Sequence, residues 1–152
     1  GIDKNENDSD MAVEIKAVSL QALNQPQKAI EFYEILYKKN PNVLIAYELA
    51  DLKIQTNDLI GATTNITFGL ANSKEDMVKA YYDSQPAYQV PLKAAFNYLR
   101  GLVKFRENSE ANIDATIAIM EEVIKVAPNF RRAQITKEAL LARKNSPEKP
   151  KE

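Results

Sequence analysis

Between residues 28 and 52, apolar positions recur at steps of three and four, stop at a proline, and then resume. Ala29, Ile30, Tyr33 and Leu36 form one apolar face of a helix, and Phe32, Ile35 and Tyr37 line a second side. A helix that is apolar on two sides needs neighbours on two sides. Lys38 and Lys39 suit a last helical turn, where carbonyl oxygens are left unpaired. Pro41 has no N–H and disfavours a helical residue before it, so the helix stops near Lys39. The next helix, VLIAYELADLKIQ, starts within a few residues, and so short a link predicts antiparallel neighbours.

The same reading extends along the chain. Residues 1–9 are polar and acidic and read as a flexible lead-in. A helix is expected over 10–23, with Asn24 as a cap and Pro26 in the first turn of a helix over 26–39. Helices follow over 43–56 and 59–71, separated by a Thr56-Asn57-Asp58 turn. Gly61 and Gly69 weaken the second of these, and close packing is the expected reason for them. Residues 72–91 break the pattern. Ser73 and Asp76 resemble a capping box before a short helix over 74–83, and Pro86 and Pro91 make the rest extended. The segment is either a long linker between two halves of the helical array, or Tyr81, Tyr82 and Tyr88 there pack back on the helices or line a small-molecule site. Helices resume over 92–106 and 110–126. A helix over 130–143 is apolar on one side and charged on the other, and 144–152 reads as a disordered tail.

Shifting the chain by 34 residues lays AVEIKAVSLQALN on AYELADLKIQTND. Ala12 meets Ala46, Glu14 meets Glu48, Gln21 meets Gln55, and the apolar register is kept throughout. A period of 34 is that of the tetratricopeptide (TPR) helix–turn–helix repeat. The chain resembles that family at Ala29, Tyr33, Leu36 and Pro41, at Ala62, Ile66 and Gly69 without a closing proline, and at Thr116, Met120, Val123 and Pro128. Ala17 and Gly101 stand where a glycine is usual, and Tyr47 where a tryptophan is. The resemblance implies an all-α fold: a right-handed α-solenoid of about three TPR-like helix-turn-helix repeats plus a C-terminal capping helix. The repeats would span about 10–41, 44–71 and 92–128 of a single domain over 10–143, with an insertion at 72–91 and the cap at 130–143.

Composition narrows the function classes. Twenty basic residues against 21 acidic ones leave a net charge of −1, without the basic excess of a nucleic-acid binder. No apolar run approaches the ~18 residues of a transmembrane segment. With no cysteine and no histidine, thiol chemistry, a histidine base and most structural zinc sites are out of reach. Four scattered glycines cannot build a phosphate-cradling loop. Glu121 and Glu122 are adjacent on a helix and point apart. No catalytic residue, metal site or cofactor is expected. Asp3, Asn5, Asn7 and Glu14 match four ligand positions of an EF-hand loop, but Asp8 stands where that loop needs glycine, so the stretch reads as a solvated acidic tail. Asn7-Asp8-Ser9 and Asn65-Ile66-Thr67 match glycosylation acceptors. Gly1 and the polar lead-in suit export with a periplasmic or lipoprotein tether and its signal removed, and equally a cytoplasmic chain with a glycine left from expression.

The concave face is the candidate site. In the family that the chain resembles, the first helices of each pair line an inner groove. The positions expected there are Glu14, Val18 and Gln21, then Glu48, Leu52 and Gln55, then Tyr98, Leu102, Phe105 and Arg106. Some members hold a peptide's terminal carboxylate with Lys and Asn. Here the matching places carry Glu14 and Glu48, which repel a carboxylate and favour a basic partner. The resulting expectation is a non-enzymatic protein- or peptide-binding scaffold. The alternative is a structural subunit or homo-oligomer, with its interface on the 72–91 insertion or an end helix.

Overall fold

The computed structural model describes residues 2–146, with side chains from 9 to 146. The chain divides into two compact units, Gly1–Asn72 and Ser73–Glu152. Among the described residues it is mostly helical, with seven helices and two short strands.

The first unit holds α1 (Ile2–Ala22), α2 (Pro26–Lys39), α3 (Val43–Gln55) and α4 (Leu59–Asn72), each packed on the next. Helix α1 begins eight residues before the expected Asp10, and so takes in the stretch read as a flexible lead-in. Neither glycine nor proline interrupts residues 2–25, so the local sequence carries no strong helix breaker there. The potential EF-hand ligands therefore lie on one continuous helix rather than on a loop that could wrap a cation.

Local chemistry closes the turns of this unit. Asn24 does not cap α2. It takes the left-handed conformation at φ 60° and terminates α1, while Gln25 N–H reaches back to Leu20 O at 2.8 Å and Asn24 N–H to Gln21 O at 3.0 Å. Asn57, at φ 66°, ends α3 in the same way, with Asp58 N–H on Lys53 O and Asn57 N–H on Ile54 O. The two motifs lie 33 residues apart, one short of the period that aligns the helices (57 − 24). Asn42 caps α3, its Oδ1 accepting from Leu44 N–H at 2.7 Å and Ile45 N–H at 3.2 Å. Asp58 does the same for α4 through Gly61 N–H, and a Cβ on Gly61 would lie 2.3 Å from the Asp58 carboxylate. That carboxylate, rather than a neighbouring helix, is what a side chain at Gly61 would meet, and it would have to shift to admit one. Ala17, Ala29, Tyr33, Leu49 and Leu52 form a buried cluster drawn from α1, α2 and α3, with Ile45 packed against it. Full burial of each large apolar side chain stabilises by about 1.5–3 kcal/mol.

The second unit holds β1 (Val78–Tyr81), β2 (Tyr88–Pro91), α5 (Leu92–Glu107), α6 (Ile113–Val126) and α7 (Arg131–Lys144). The expected short helix over 74–83 is instead a turn followed by a strand. β1 and β2 pair antiparallel, Tyr81 opposite Tyr88 and Val78 opposite Pro91. Val, Tyr and Tyr suit a pleated, half-buried surface, and the partner strand ten residues on decides the outcome. Tyr81 is 2% exposed. It stacks on Tyr88 at 5.4 Å and packs on Phe130 at 5.1 Å, and Phe130 in turn meets Tyr98. Of the three tyrosines, Tyr81 and Tyr88 therefore pack, while Tyr82 is 81% exposed. Gly101 lets α5 and α6 approach closely: a Cβ there would come within 2.6 Å of Met120 Cε. Helix α7 runs to Lys144 and is capped at Asn145, so the expected tail over 144–152 begins on a helix, and residues 147–152 lie outside the described residues.

Candidate peptide-binding face

Within the first unit, the polar positions that the repeat aligns on α1 and α3 come together. Gln21 Nε2 donates to Glu48 Oε1 at 2.9 Å, and the Tyr33 hydroxyl donates to Gln21 Oε1 at 2.8 Å. Gln21 thus spends both ends of its amide joining three helices. Burial pushes the Tyr33 hydroxyl far above the ordinary tyrosine range, and the Glu48 and Glu14 carboxylates push it further. The hydroxyl therefore stays protonated and remains a donor. Glu14 and Gln55 are exposed and Glu48 is half-buried, so carboxylates stand at the surface of both first helices.

Beside Glu14 lies a concavity of about 410 Å³, bounded by α1, the end of α2 and the start of α3. Met11, Leu36 and Ile45 supply its apolar surface, and Glu14, Asn40 and Asn42 its polar groups. An ion pair between Lys39 and Asp10, at 2.7 Å, crosses its edge. Apolar wall and acidic lip together suit a long side chain with an apolar stem and a cationic head.

The other expected groove residues are placed differently. Leu52 is 1% exposed and belongs to the core cluster, so it offers nothing to a partner. Val18, its counterpart in the repeat, is exposed and lines a shallow concavity of about 300 Å³ with Met11, Glu14, Ile15 and Ser19. In the second unit, Tyr98 is 8% exposed and packed on Phe130, so it too is core. Leu102 and Phe105 are half-buried, and the Arg143 guanidinium lies 5.3 Å above the Phe105 ring. Arg106 is exposed on α5.

A second concavity, of about 710 Å³, lies between the β1–β2 loop and the start of α7. It is lined by residues 83–88 with Asn129, Arg131 and Gln134. Periodicity gives no sign of it, because it depends on contacts between distant residues. Arg132 bonds Asp83 at 2.5 Å and lies 4.6 Å over the Tyr81 ring, and Asn129 Nδ2 donates to Gln89 O at 2.9 Å. Those bonds fix the loop against α7. Burial, with Asp83 adding and Arg132 opposing, raises the Tyr88 hydroxyl above its ordinary range.

Asn65 of the Asn-Ile-Thr sequon is 2% exposed, which encloses that acceptor in the folded chain. Among the described residues, no group of three or more acidic, histidine or cysteine side chains is placed to hold a metal. None of the described helices is long and apolar enough to cross a membrane. Comparison with family models, with curated proteins and with solved structures returns no match.

Proposed function

We propose that the chain is a non-enzymatic scaffold whose first unit binds a protein or peptide segment carrying Lys or Arg beside an apolar residue. The observation that carries this reading is the pairing of Glu14 with an apolar concavity, next to a Glu48 that Gln21 and Tyr33 hold in place. An acid beside an apolar wall gives a partner both an anchor and a charge selector. The helical pairs of each unit are read as TPR-like repeats. Sequential packing of α1 to α4, and the matching asparagine turns at Asn24 and Asn57, support that reading. Leu52 and Tyr98 drop out of the proposed face, which rests on Glu14, Gln21, Glu48 and Gln55 with Met11 and Ile45 beside them.

Displayed random peptides selected on the wild-type chain test it. Enriched sequences should pair a basic residue with an aliphatic or aromatic one. Their affinity should fall at least about tenfold against Glu14→Lys/Glu48→Gln, a loss of about 1.4 kcal/mol. Glu48→Gln keeps an acceptor for Gln21, so the fold should persist. Equal affinity for both chains would sink the assignment.

A further inference from the structure

Helices α5 and α6 of the second unit border a concavity of about 470 Å³ that the proposed peptide face does not use. Its apolar surface is aliphatic: Ala94 of α5 with Ile119, Val123 and Val126 of α6. Ala94 and Val123 are buried, while Val126 is 63% exposed, so an apolar side chain stands uncovered beside them. The volume is that of a small-molecule site.

Four charged side chains flank that surface. Two of them satisfy each other, Lys93 Nζ donating to Glu75 Oε2 at 3.3 Å. The other two, Arg100 of α5 and Glu122 of α6, are opposite in sign and stay apart. Among the described residues neither joins an ion pair, with the other or with a third residue. Arg100 is nevertheless held in place. Its Nε donates to Asn97 Oδ1 at 3.1 Å, and Asn97 lines the same concavity. That bond uses one guanidinium donor and leaves the outer nitrogens for a carboxylate, which they bind as a fork. Glu122 is exposed, with its oxygens open to a cation.

A purely anionic ligand here would bring its charge beside Glu122, and a purely cationic one beside Arg100. Like charges brought together cost free energy. A ligand that carries both charges and an aliphatic group meets all three features. We infer that this concavity binds a small zwitterion with an aliphatic side chain, the chemistry shared by a free aliphatic amino acid and a short aliphatic peptide. Arg100 takes the carboxylate, Glu122 takes the ammonium group, and the side chain lies on Ile119, Val123 and Val126. Every one of these residues belongs to the second unit, so the inference stands apart from the peptide-binding reading of the first.

An NMR titration of the full chain with free leucine and with leucyl-leucine tests this and separates the two sources. At least one of them should shift the amides of α5 from Lys93 to Arg100 and of α6 from Ile119 to Val126, and the tighter of the two names the source. Converting the tighter ligand's carboxylate to an amide, or acetylating its amine, should each weaken binding about tenfold, the effect of one charge-assisted hydrogen bond. Glycine or diglycine, without the aliphatic side chain, should also bind more weakly. On the protein side, Arg100→Gln should lose the preference for the free carboxylate over the amide. Glu122→Gln should lose the preference for the free amine over its acetylated form. Both positions are exposed, so both variants should keep wild-type far-UV circular dichroism. The altered ligands probe the same two contacts on the wild-type chain. The inference is overturned if neither leucine nor leucyl-leucine shifts those amides at millimolar concentration. It is overturned equally if the amide and acetylated forms bind as well as the zwitterion, or if both variants keep wild-type preferences.

Discussion

Both units close helix–helix turns with local bonds, Asn108 Oδ1 accepting from Ala111 N–H at 3.1 Å between α5 and α6 of the second, and they differ in the β-hairpin that the second adds. In the first, asparagines and an aspartate act within a few residues: Asn24 and Asn57 turn the backbone left-handed, and Asn42 and Asp58 cap the helices that follow. In the second, the added β-hairpin is held by side chains far apart in sequence. Arg132 reaches Asp83 across 49 residues, Asn129 reaches Gln89 across 40, and Phe130 joins Tyr81 to Tyr98. Local turns impose little loop-closure entropy. The hairpin must recover a larger cost from aromatic burial. The first unit should therefore tolerate loss of any one turn residue, whereas the second should depend on a few rings.

Phe130→Ala sharpens that contrast most. Phe130 is fully buried against Tyr81 and Tyr98, and truncation should cost about 3–5 kcal/mol in chemical denaturation. A loss below about 1 kcal/mol would mean that the rings do not hold the hairpin. Gly101→Ala comes next. Its new methyl meets Met120 Cε and the Ile119 side chain, and overpacking should cost about 1–3 kcal/mol, less if Met120 swings aside. Asn57→Ala should cost about 1 kcal/mol, because alanine pays to sit left-handed, while Asn57→Gly should be close to neutral. A substantial loss for the glycine variant would show that the asparagine side chain matters beyond its backbone preference. Lys39→Ala, which breaks an ion pair with both partners about 40% exposed, should shift stability by no more than about 0.5 kcal/mol.

The same contrast governs how far the sequence could be read. The periodicity of residues 28–52 locates α2 and α3 and the turn between them, because helix stops and starts are short-range chemistry. It misassigns Asn24, which as a turn residue serves equally to end α1 or to begin α2. Residues 78–81 carry alanine and lysine beside valine and tyrosine. Only their pairing with 88–91 makes them a strand, and pairing is invisible in a local window. Among the candidate site residues, Glu14, Gln21, Glu48 and Gln55 were legible as polar positions repeating on first helices. Leu52 and Tyr98 were not separable from the core. An apolar residue on a helix marks a covered side without saying whether the chain itself or a partner covers it, and here Tyr33 and Phe130 do so. The β-hairpin concavity left no trace in periodicity, since Asp83, Asn129 and Arg131 meet only in the folded unit.

The most direct test of the binding face is an NMR titration of the wild-type chain with a selected peptide carrying one basic and one aromatic residue. Amide shifts should concentrate on α1 around Glu14, at the end of α2, and on α3 from Asn42 to Glu48, and they should vanish with Glu14→Lys/Glu48→Gln. Shifts confined to residues 83–88 and the start of α7, unchanged in that variant, would contradict the account and move the site to the β1–β2 loop.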